Sequence, residues 1–221
     1  MKNSSSIGWE KLLDLMEEEA KKKSAPVFIL KGFLNDPFQH LVFTVLSART
    51  RDEQTVKAAR NLFKVANTPE KLAKLSEEEI AVLIESAGFY RNKAKNLKAM
   101  AEILVKEYSS MVPDTFEELV KLPGVGRKTA NVVLAYAFNK NTIAVDTHVH
   151  RLANRLGFVR TERPEETEIE LKKVVPPELW RRVNRTFVAF GQTICKPIKP
   201  LCEECPIEDV CPKIGVAKPD R

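Results

Sequence analysis

The sequence lacks a long hydrophobic run, a secretion signal and the alternating pattern that marks β-strands. Its longest apolar runs are a handful of residues, whereas a membrane-spanning helix needs about 20. Met1 to Lys11 contains no apolar signal-peptide core. We therefore expect no membrane association, and we expect a reducing, intracellular compartment.

Cysteine is absent from the first 194 residues, and all four cysteines lie within 17 residues, at Cys195, Cys202, Cys205 and Cys211. Because the cysteines are confined to one short segment, we expect them to bind one metal centre together rather than to be separate buried thiols. Disulfides are disfavoured without a secretion signal. Four thiolates could bind zinc or a [4Fe–4S] cluster. Only Cys202 and Cys205 form a tight pair, and the six-residue spacer after Cys195 is long for a zinc knuckle. The spacing therefore favours iron–sulfur over zinc.

The charge balance is moderately basic. The chain has 36 Lys and Arg against 30 Asp and Glu, a net charge of +6. This is compatible with a polyanionic partner, although ribosomal proteins and ordinary soluble proteins can match it. With 43% hydrophobic residues, the 221 residues can bury one large core or two small ones.

Helix signals run along most of the chain. Asp36-Pro37 is a cap followed by proline, which predicts a helix start. A capping box at Ser76–Glu79 predicts a further helix, and we expect Gly88 to end it. Asp114–Glu117 has the same capping-box spacing. About ten helices with short loops predict an all-α protein.

The central motif is a glycine hairpin, Leu122–Gly126, followed by a helix with Lys128 in its first turn. Gly124 and Gly126 permit positive φ and leave backbone N–H groups unshielded. The N–H groups of the turn, Val125 included, and the positive end of the following helix suit a bound phosphate. A lysine beside a phosphate site indicates chemistry on a nucleic acid.

Three motifs in the right order carry a resemblance to a known family. They are the hairpin LPGVGRKTANVVL from Leu122, the segment Val145-Asp146-Thr147-His148, and the four-cysteine spacing. Together they resemble endonuclease III, the DNA glycosylase/AP lyase of the helix-hairpin-helix superfamily. The resemblance implies two helical domains with the DNA cleft between them. One is a six-helix barrel with the helix-hairpin-helix, over 30–140; the other is discontinuous, over 1–29 and 141–221, and holds a [4Fe–4S] cluster.

The resemblance also implies roles for individual residues. Lys128 and Asp146 match the family's catalytic pair. The lysine would displace the base and remain attached to the sugar as a Schiff base, and the carboxylate would stabilise positive charge on the sugar. The four cysteines would hold the cluster. Lys196 and Lys199 lie on the loop between the first two ligands, where they can touch DNA phosphates.

Base removal requires that the nucleotide be flipped out and its vacancy filled. Leu46–Thr50 matches a loop in which glutamine is common in the family, so Arg49 is a departure. Gly88–Tyr90 matches a loop with an aliphatic wedge, and Phe89 stands in that place. Phe89 could instead be a core aromatic after a helix end. His148 is a candidate base-pocket residue, with a structural role at a helix start as the alternative.

We therefore predict a bifunctional DNA glycosylase/AP lyase of base excision repair. It would excise oxidised pyrimidines of the thymine glycol type from double-stranded DNA and then cleave the abasic strand by β-elimination. We expect a monomer with a [4Fe–4S] cluster, cytoplasmic and nucleoid-associated in a prokaryote. The alternatives are a mismatch or oxidised-purine glycosylase on the same scaffold, and a non-catalytic DNA-binding protein. Lys128 disfavours monofunctional enzymes, and the combination of Lys128 with Asp146 argues against a binding module.

Overall fold

Helices supply the regular structure of residues 7–29, 34 and 36–216, the part of the chain that the computed structural model describes, and no strand occurs there. The all-α prediction is therefore confirmed. No helix in these ranges has both the length and the apolar character that a bilayer span requires.

In chain order the helices are α1 (Trp9–Lys22), α2 (Pro26–Ile29), α3 (Pro37–Ser47), α4 (Asp52–Val65), α5 (Pro69–Lys74), α6 (Glu77–Leu83), α7 (Tyr90–Glu107), α8 (Phe116–Leu119), α9 (Arg127–Tyr136), α10 (Thr147–Arg155), α11 (Pro164–Val174) and α12 (Trp180–Thr193). Short 3₁₀ turns occupy Pro177–Leu179 and Cys202–Glu204.

The chain divides into two units. The terminal unit consists of Met1–Lys31 and Asn141–Arg221, and the central unit of Gly32–Lys140. Residue 30, at which the predicted barrel domain begins, lies outside the described residues.

Capping side chains set the starts of the helices in the central unit. Asp36 accepts a hydrogen bond of 2.9 Å from the Gln39 amide at the start of α3. Ser76 and Glu79 form both hydrogen bonds of a capping box on α6, so this predicted start is confirmed. The predicted end is wrong, because α6 stops at Leu83, five residues before Gly88. Gly88 instead lies against the backbone of α3's exit loop.

The start of α8 also differs from the predicted register. Thr115, not Asp114, is the N-cap, and its hydroxyl accepts from the Glu118 amide. Asp114 forms an ion pair with Lys140 at 2.8 Å. An N-cap directly precedes the first helical residue. Asp114 could be the cap only if the helix began at Thr115, but α8 begins at Phe116.

The longest helix, α7, is the core element of the central unit. It packs against α3, α5 and α6. Leu97, Met100, Ala101 and Leu104 form its buried stripe, with the spacing of one helical face. Because α9 also packs on α3, the hairpin before α9 and the N-terminus of α7 are held in one folded unit.

The terminal unit is built from α1, α10 and α12, which pack on one another around α12. Leu12, Met16, Leu152 and Phe187 are completely buried in its core. Trp9 stacks on the aromatic ring of Phe158, with ring centroids 4.2 Å apart. This packing fixes α10, whose N-cap is the candidate residue Asp146 and whose first turn carries His148.

Candidate active site and cysteine loop

The glycine hairpin has one left-handed residue rather than two. Gly124 has φ +78°, but Gly126 has φ −92° and ψ 177°. Both glycines permit positive φ, and only Gly124 uses that freedom, because Gly126 is the extended N-cap of α9. A Cβ on Gly124 would lie 3.1 Å from the Cβ of Asn96, whereas one on Gly126 would meet nothing within 4 Å.

The hairpin amides are not equivalent. The N–H of Val125 donates to the Leu122 carbonyl at 3.1 Å, and its side chain is buried. Val125 is therefore committed to the hairpin itself and is poorly suited to hold a phosphate. The first N–H groups of α9 have no intrahelical partner, and Gly126 leaves their approach open. An anion is best accommodated at Gly126 and the start of α9.

Lys128 is the second residue of α9 and is half-buried. No described residue forms a hydrogen bond or an ion pair with its ammonium group. The neighbouring Arg127 is turned aside, because its guanidinium lies over the Phe116 ring, 4.9 Å from the centroid. The lysine amine is thus unpaired, a property that suits a nucleophile.

Asp146 is the N-cap of α10. Its Oδ1 accepts hydrogen bonds of 2.9 Å from the amides of His148 and Val149. These bonds fix the carboxylate at the helix start, where the positive end of the helix stabilises a negative charge. The second carboxylate oxygen, Oδ2, takes no part in the cap and can face a developing cation.

His148 is held by an arginine from one turn further along α10. The guanidinium of Arg151 lies 3.1 Å from His148 Nδ1. The same nitrogen of Arg151 donates to the carbonyls of Gly191 and Cys195, each at 3.0 Å, so the guanidinium beside His148 is fixed in place. A Cβ on Gly191 would lie 2.7 Å from this Nδ1, so glycine in α12 is what allows the close approach. His148 therefore has a structural contact at Nδ1.

The two predicted wedge loops lie side by side in the central unit. Arg49 and Phe89 are both left-handed, with φ +53° and φ +56°, a conformation that is uncommon outside glycine. Phe89 is 65% exposed, so the alternative of a core aromatic is wrong. The Arg49 guanidinium carbon lies 5.8 Å from the Phe89 ring centroid. Two side chains that can enter a base stack are thus presented together.

Lys93 was missed by sequence reasoning, although its position carried a signal. It lies on the buried stripe of α7, one turn before Leu97, and is 6% exposed. A lysine at a core position is uncommon unless its ammonium is paired or hydrogen-bonded. Its ammonium donates to the carbonyls of Leu46 and Ala48 and to the Thr50 hydroxyl.

The four cysteines line one cavity in the terminal unit, and none is disulfide-bonded. The rest of the lining is mostly apolar and includes Leu152, Phe190, Ile194, Leu201 and Ile207. Burial raises the pKa of the Cys205 thiol to about 12 and also raises those of Cys202 and Cys211. Thiolates here therefore require a compensating positive charge from bound metal.

All four cysteines border the same cavity, which is what the ligands of one shared [4Fe–4S] cluster require.

Arg155 joins α10 to the cysteine loop. Its guanidinium donates to Cys195 Sγ at 3.4 Å and to the carbonyls of Lys196 and Pro197 at 2.6 and 2.9 Å. The backbone amide of Lys213 donates to Cys211 Sγ at 3.4 Å. Hydrogen bonds to the sulfurs are a usual feature of cluster sites. Lys196 and Lys199 are exposed on the same loop, free of the cavity that the cysteines line.

Two family models match the chain. Residues 42–177 match the model described as HhH-GPD superfamily base excision DNA repair protein. Residues 195–211 match the iron-sulfur binding domain of endonuclease III, and this range begins at Cys195 and ends at Cys211.

Relatives and solved structures agree with these models. The chain is 55% identical over 196 residues to endonuclease III of Thermotoga maritima, covering 89% of this chain and 92% of the relative. It superposes on the structure of a non-covalent endonuclease III–DNA complex with a TM-score of 0.84 and 37% identity, covering 96% and 97% of the two chains. A trapped endonuclease III–DNA covalent intermediate gives a TM-score of 0.80 at 37% identity, with 92% and 95% covered. The unpaired lysine behind a glycine hairpin, the capped aspartate and the four-cysteine cavity thus occur in a chain that belongs to the endonuclease III family of iron–sulfur DNA glycosylase/AP lyases, within the HhH-GPD superfamily.

Proposed function

We propose that this chain excises oxidised pyrimidines of the thymine glycol type from double-stranded DNA and cleaves the resulting abasic strand through a covalent lysine intermediate. The observation that carries the proposal is the amine of Lys128 in the first turn of α9, directly after the hairpin, which has no hydrogen-bond or ion-pair partner among the described residues. A solved relative has been trapped as a covalent DNA intermediate, which supports the same chemistry here.

Lys128 supplies the nucleophile. Its amine attacks C1′ of the sugar, the bond between C1′ and the base breaks, and the base leaves with the electron pair. A proton passes from the nitrogen to the ring oxygen O4′ as the bond between C1′ and O4′ breaks, and the nitrogen lone pair forms the C=N bond of an iminium. The iminium makes the C2′ proton acidic, so its removal expels the 3′ phosphate and cuts the strand. The hairpin and the N-terminus of α9 hold a backbone phosphate so that the amine reaches one sugar.

Asp146 supplies the negative charge. The leaving base makes the sugar cationic, and a carboxylate that is already oriented by two backbone amides stabilises that cation without reorganisation. We assign Oδ1 to the cap and Oδ2 to the sugar. His148 offers its Nε2–H to an oxygen of the flipped base.

Arg49 and Phe89 fill the space that the flipped nucleotide leaves. The phenyl ring wedges a base step, and the guanidinium can hydrogen-bond the orphaned base. An arginine only donates hydrogen bonds, so it favours orphaned bases that present acceptors. Lys196 and Lys199 contact phosphates of the same duplex.

The cysteines Cys195, Cys202, Cys205 and Cys211 hold the [4Fe–4S] cluster. The cluster supplies the positive charge that keeps the buried sulfurs as thiolates, and it shapes the basic loop between its first two ligands. We propose that the protein acts as a monomer and that the central and terminal units are its two functional domains.

Borohydride trapping on a duplex with one abasic site tests the nucleophile. We expect the wild-type protein to form a covalent adduct with the DNA strand, because borohydride reduces the Schiff base to a stable amine. Lys128→Ala should form none. An adduct that persists in Lys128→Ala would contradict the assignment, and no adduct with wild type would favour the non-catalytic DNA-binding protein.

A lesion panel tests the substrate class. Duplexes with thymine glycol, 8-oxoguanine or a thymine–guanine mismatch are incubated with enzyme in excess, and base release is followed separately from strand cleavage. We expect rapid release of thymine glycol alone. Preferential release of the purine or of the mismatched thymine would support the alternative glycosylases on this scaffold.

A further inference from the structure

One buried ammonium group connects the two wedge loops. The Lys93 Nζ donates hydrogen bonds of 2.7 Å to the Leu46 carbonyl, 2.6 Å to the Ala48 carbonyl and 2.7 Å to the Thr50 hydroxyl. These three acceptors surround Arg49, so the ammonium holds the loop on both sides of that residue. Lys93 is also in the first turn of α7, whose N-cap is Phe89.

The Thr50 hydroxyl extends the connection to the second loop. It accepts from the Gly88 amide at 3.1 Å, the residue directly before Phe89. Gly88 is also so close to the first loop that an added Cβ would lie 2.6 Å from the Arg49 carbonyl oxygen. Lys93, Thr50 and Gly88 therefore form one chain of contacts between the two wedges.

Burying the Lys93 ammonium has a desolvation cost that would be unexpected if the residue served only to stabilise the fold. An ammonium has three donors, and all three are used, yet the acceptors are neutral and no carboxylate among the described residues pairs with it. Burial lowers the pKa of Lys93 to about 8. An apolar residue in this slot would avoid the desolvation cost. Violations of local rules of this kind are expected at functional sites.

The backbone around Lys93 is strained in the same place. Arg49 and Phe89 both have positive φ, which is unfavourable for a residue with a Cβ. Such strain persists only where the surrounding structure enforces it. Lys93 and Thr50 contact the residues on both sides of Arg49 and the residue directly before Phe89, which are the places from which these conformations can be restrained.

We propose that Lys93 is a positioning residue that fixes the Arg49 and Phe89 loops relative to each other, so that both side chains enter the base stack as one unit. The proposal rests on the wedge roles assigned under the proposed function. It makes Lys93 a determinant of nucleotide flipping and of opposite-base selectivity, without contact between Lys93 and DNA.

The test compares Lys93→Met with Lys98→Met. Methionine keeps a long unbranched chain in the slot and removes the three donors. Lys98 lies on the same helix, and its ammonium donates to the Ala73 carbonyl instead, so Lys98→Met is a control for charge and general packing. Single-turnover base excision is measured on duplexes with thymine glycol opposite each of the four bases, and β-elimination on a preformed abasic duplex.

For Lys93→Met we expect base excision to fall about 100-fold, the size of effect that a small misplacement of working groups can have. The opposite-base profile should flatten, because Arg49 is no longer held over the orphaned base. Elimination at a preformed abasic site should fall less than about tenfold, since an abasic nucleotide has no base to unstack. Lys98→Met should behave as wild type in all three measurements.

A double variant separates positioning from simple destabilisation. If Lys93 acts through the Arg49 loop, adding Lys93→Met to Arg49→Ala should leave the opposite-base profile of Arg49→Ala unchanged, which is non-additive behaviour. Thr50→Val removes the hydroxyl that links Lys93 to Gly88, and we expect the same pattern in a milder form. This variant decides the question if Lys93→Met does not fold.

Two results would overturn the inference while leaving the proposed function intact. One is excision by Lys93→Met at the rate of Lys98→Met. The other is an equal loss of excision and of abasic-site elimination, in proportion to lowered thermal stability, with an unchanged opposite-base profile. Failure of the wild-type protein to excise thymine glycol or to form a trapped adduct would instead refute the proposed function.

Discussion

At the scale of single residues, Asp146 has a structural task at the start of α10 and a chemical one in the proposed function. Two backbone amides bind its Oδ1 at the start of α10. An N-cap needs only an oxygen acceptor, and asparagine serves as well as aspartate in this position. Stabilisation of a cationic sugar needs the negative charge, which asparagine lacks. The two tasks can therefore be separated by substitution.

We predict that Asp146→Asn leaves stability within about 0.5 kcal/mol of wild type, while base excision falls about 100-fold or more. Asp146→Ala should lose the same activity and also destabilise the protein by about 0.5–2 kcal/mol. Urea unfolding and single-turnover excision measure the two effects.

Asp36 provides the matched control, since it caps α3 through the same kind of bond to the Gln39 amide and has no predicted role in the site. Asp36→Asn should retain both stability and activity. Full activity in Asp146→Asn would show that the carboxylate charge is not needed.

At the scale of elements, the hairpin and α9 depend on two glycines for different reasons. Gly124 needs its positive φ and has the Asn96 side chain 3.1 Å from the place of a Cβ. Gly126 has a conformation that any residue can adopt and an open space around it. Gly124 is therefore needed for the fold, whereas we expect Gly126 to matter for the approach of a phosphate.

We predict that Gly124→Ala destabilises the protein by about 1–2 kcal/mol, because alanine is strained at positive φ. Gly126→Ala should keep or slightly increase stability, yet weaken binding to an abasic duplex, since the methyl group blocks the backbone from the phosphate. Urea unfolding and fluorescence anisotropy distinguish the two. Equal loss of stability in both variants would contradict the difference in conformation.

The contact between α1 and α12 makes the free energy of unfolding depend on pH, and the direction of this dependence follows from the surroundings of Glu17. Glu17 is 7% exposed. Burial raises its pKa, but hydrogen bonds from Thr186 and Arg182 and the charges of Arg182 and Arg185 outweigh this, so the pKa lies below its ordinary value of 4.5. The unfolded state then binds more protons than the folded state as the pH falls below about 4.5. The stabilisation by Glu17 is complete above its unfolded pKa and is lost as the pH falls through the folded pKa.

We predict that Glu17→Gln lowers the free energy of unfolding by about 1–3 kcal/mol at neutral pH, and that the difference from wild type shrinks below about pH 4. Glu18→Gln on the same helix should have almost no effect, because its ion pair with Lys22 is exposed on both sides. A difference that is constant with pH would mean that the Glu17 charge does not contribute.

At the scale of the whole molecule, the net charge of +6 and the amides at α9 make DNA binding an exchange of counterions. Each phosphate that the protein neutralises releases condensed cations, so log K falls by about 0.9 per phosphate for each log unit of salt.

We predict that Lys199→Gln reduces the steepness of this salt dependence by about 0.9, the amount that one phosphate contact contributes. Lys106→Gln, exposed near the far end of α7, should leave the slope unchanged. An unaltered slope in Lys199→Gln would remove the cysteine loop from the DNA interface.

Most of the helices and several of their starts could be predicted, because capping side chains act within a few residues of their own position. Asp36 and Ser76 are examples whose bonds are local. The C-terminal ends of the helices were harder to predict. Nothing near Leu83 marks a stop, and Gly88 is glycine because it passes the Arg49 carbonyl, which only the folded chain brings near.

The candidate site was predictable to the extent that its residues belong to motifs in the sequence. Lys93 illustrates the limit, since two of its three acceptors are main-chain carbonyls, and a carbonyl leaves no trace in the residue types. Only the lysine itself, on an otherwise apolar stripe, was visible. Arg155 presents the same problem, because its contacts include the carbonyls of Lys196 and Pro197.

The three contacts along α7 restrict how this enzyme can change over evolution or in the laboratory. Phe89 caps the helix, Lys93 holds the Arg49 loop, and Asn96 abuts Gly124. Inserting or deleting one residue between them would rotate the later contacts by about 100° relative to the earlier ones. New lesion or opposite-base preferences on this scaffold must therefore come from exchange of side chains at fixed spacing. Libraries that keep positions 89 to 96 constant in length and vary residues 49 and 89 together are the ones expected to yield active enzymes.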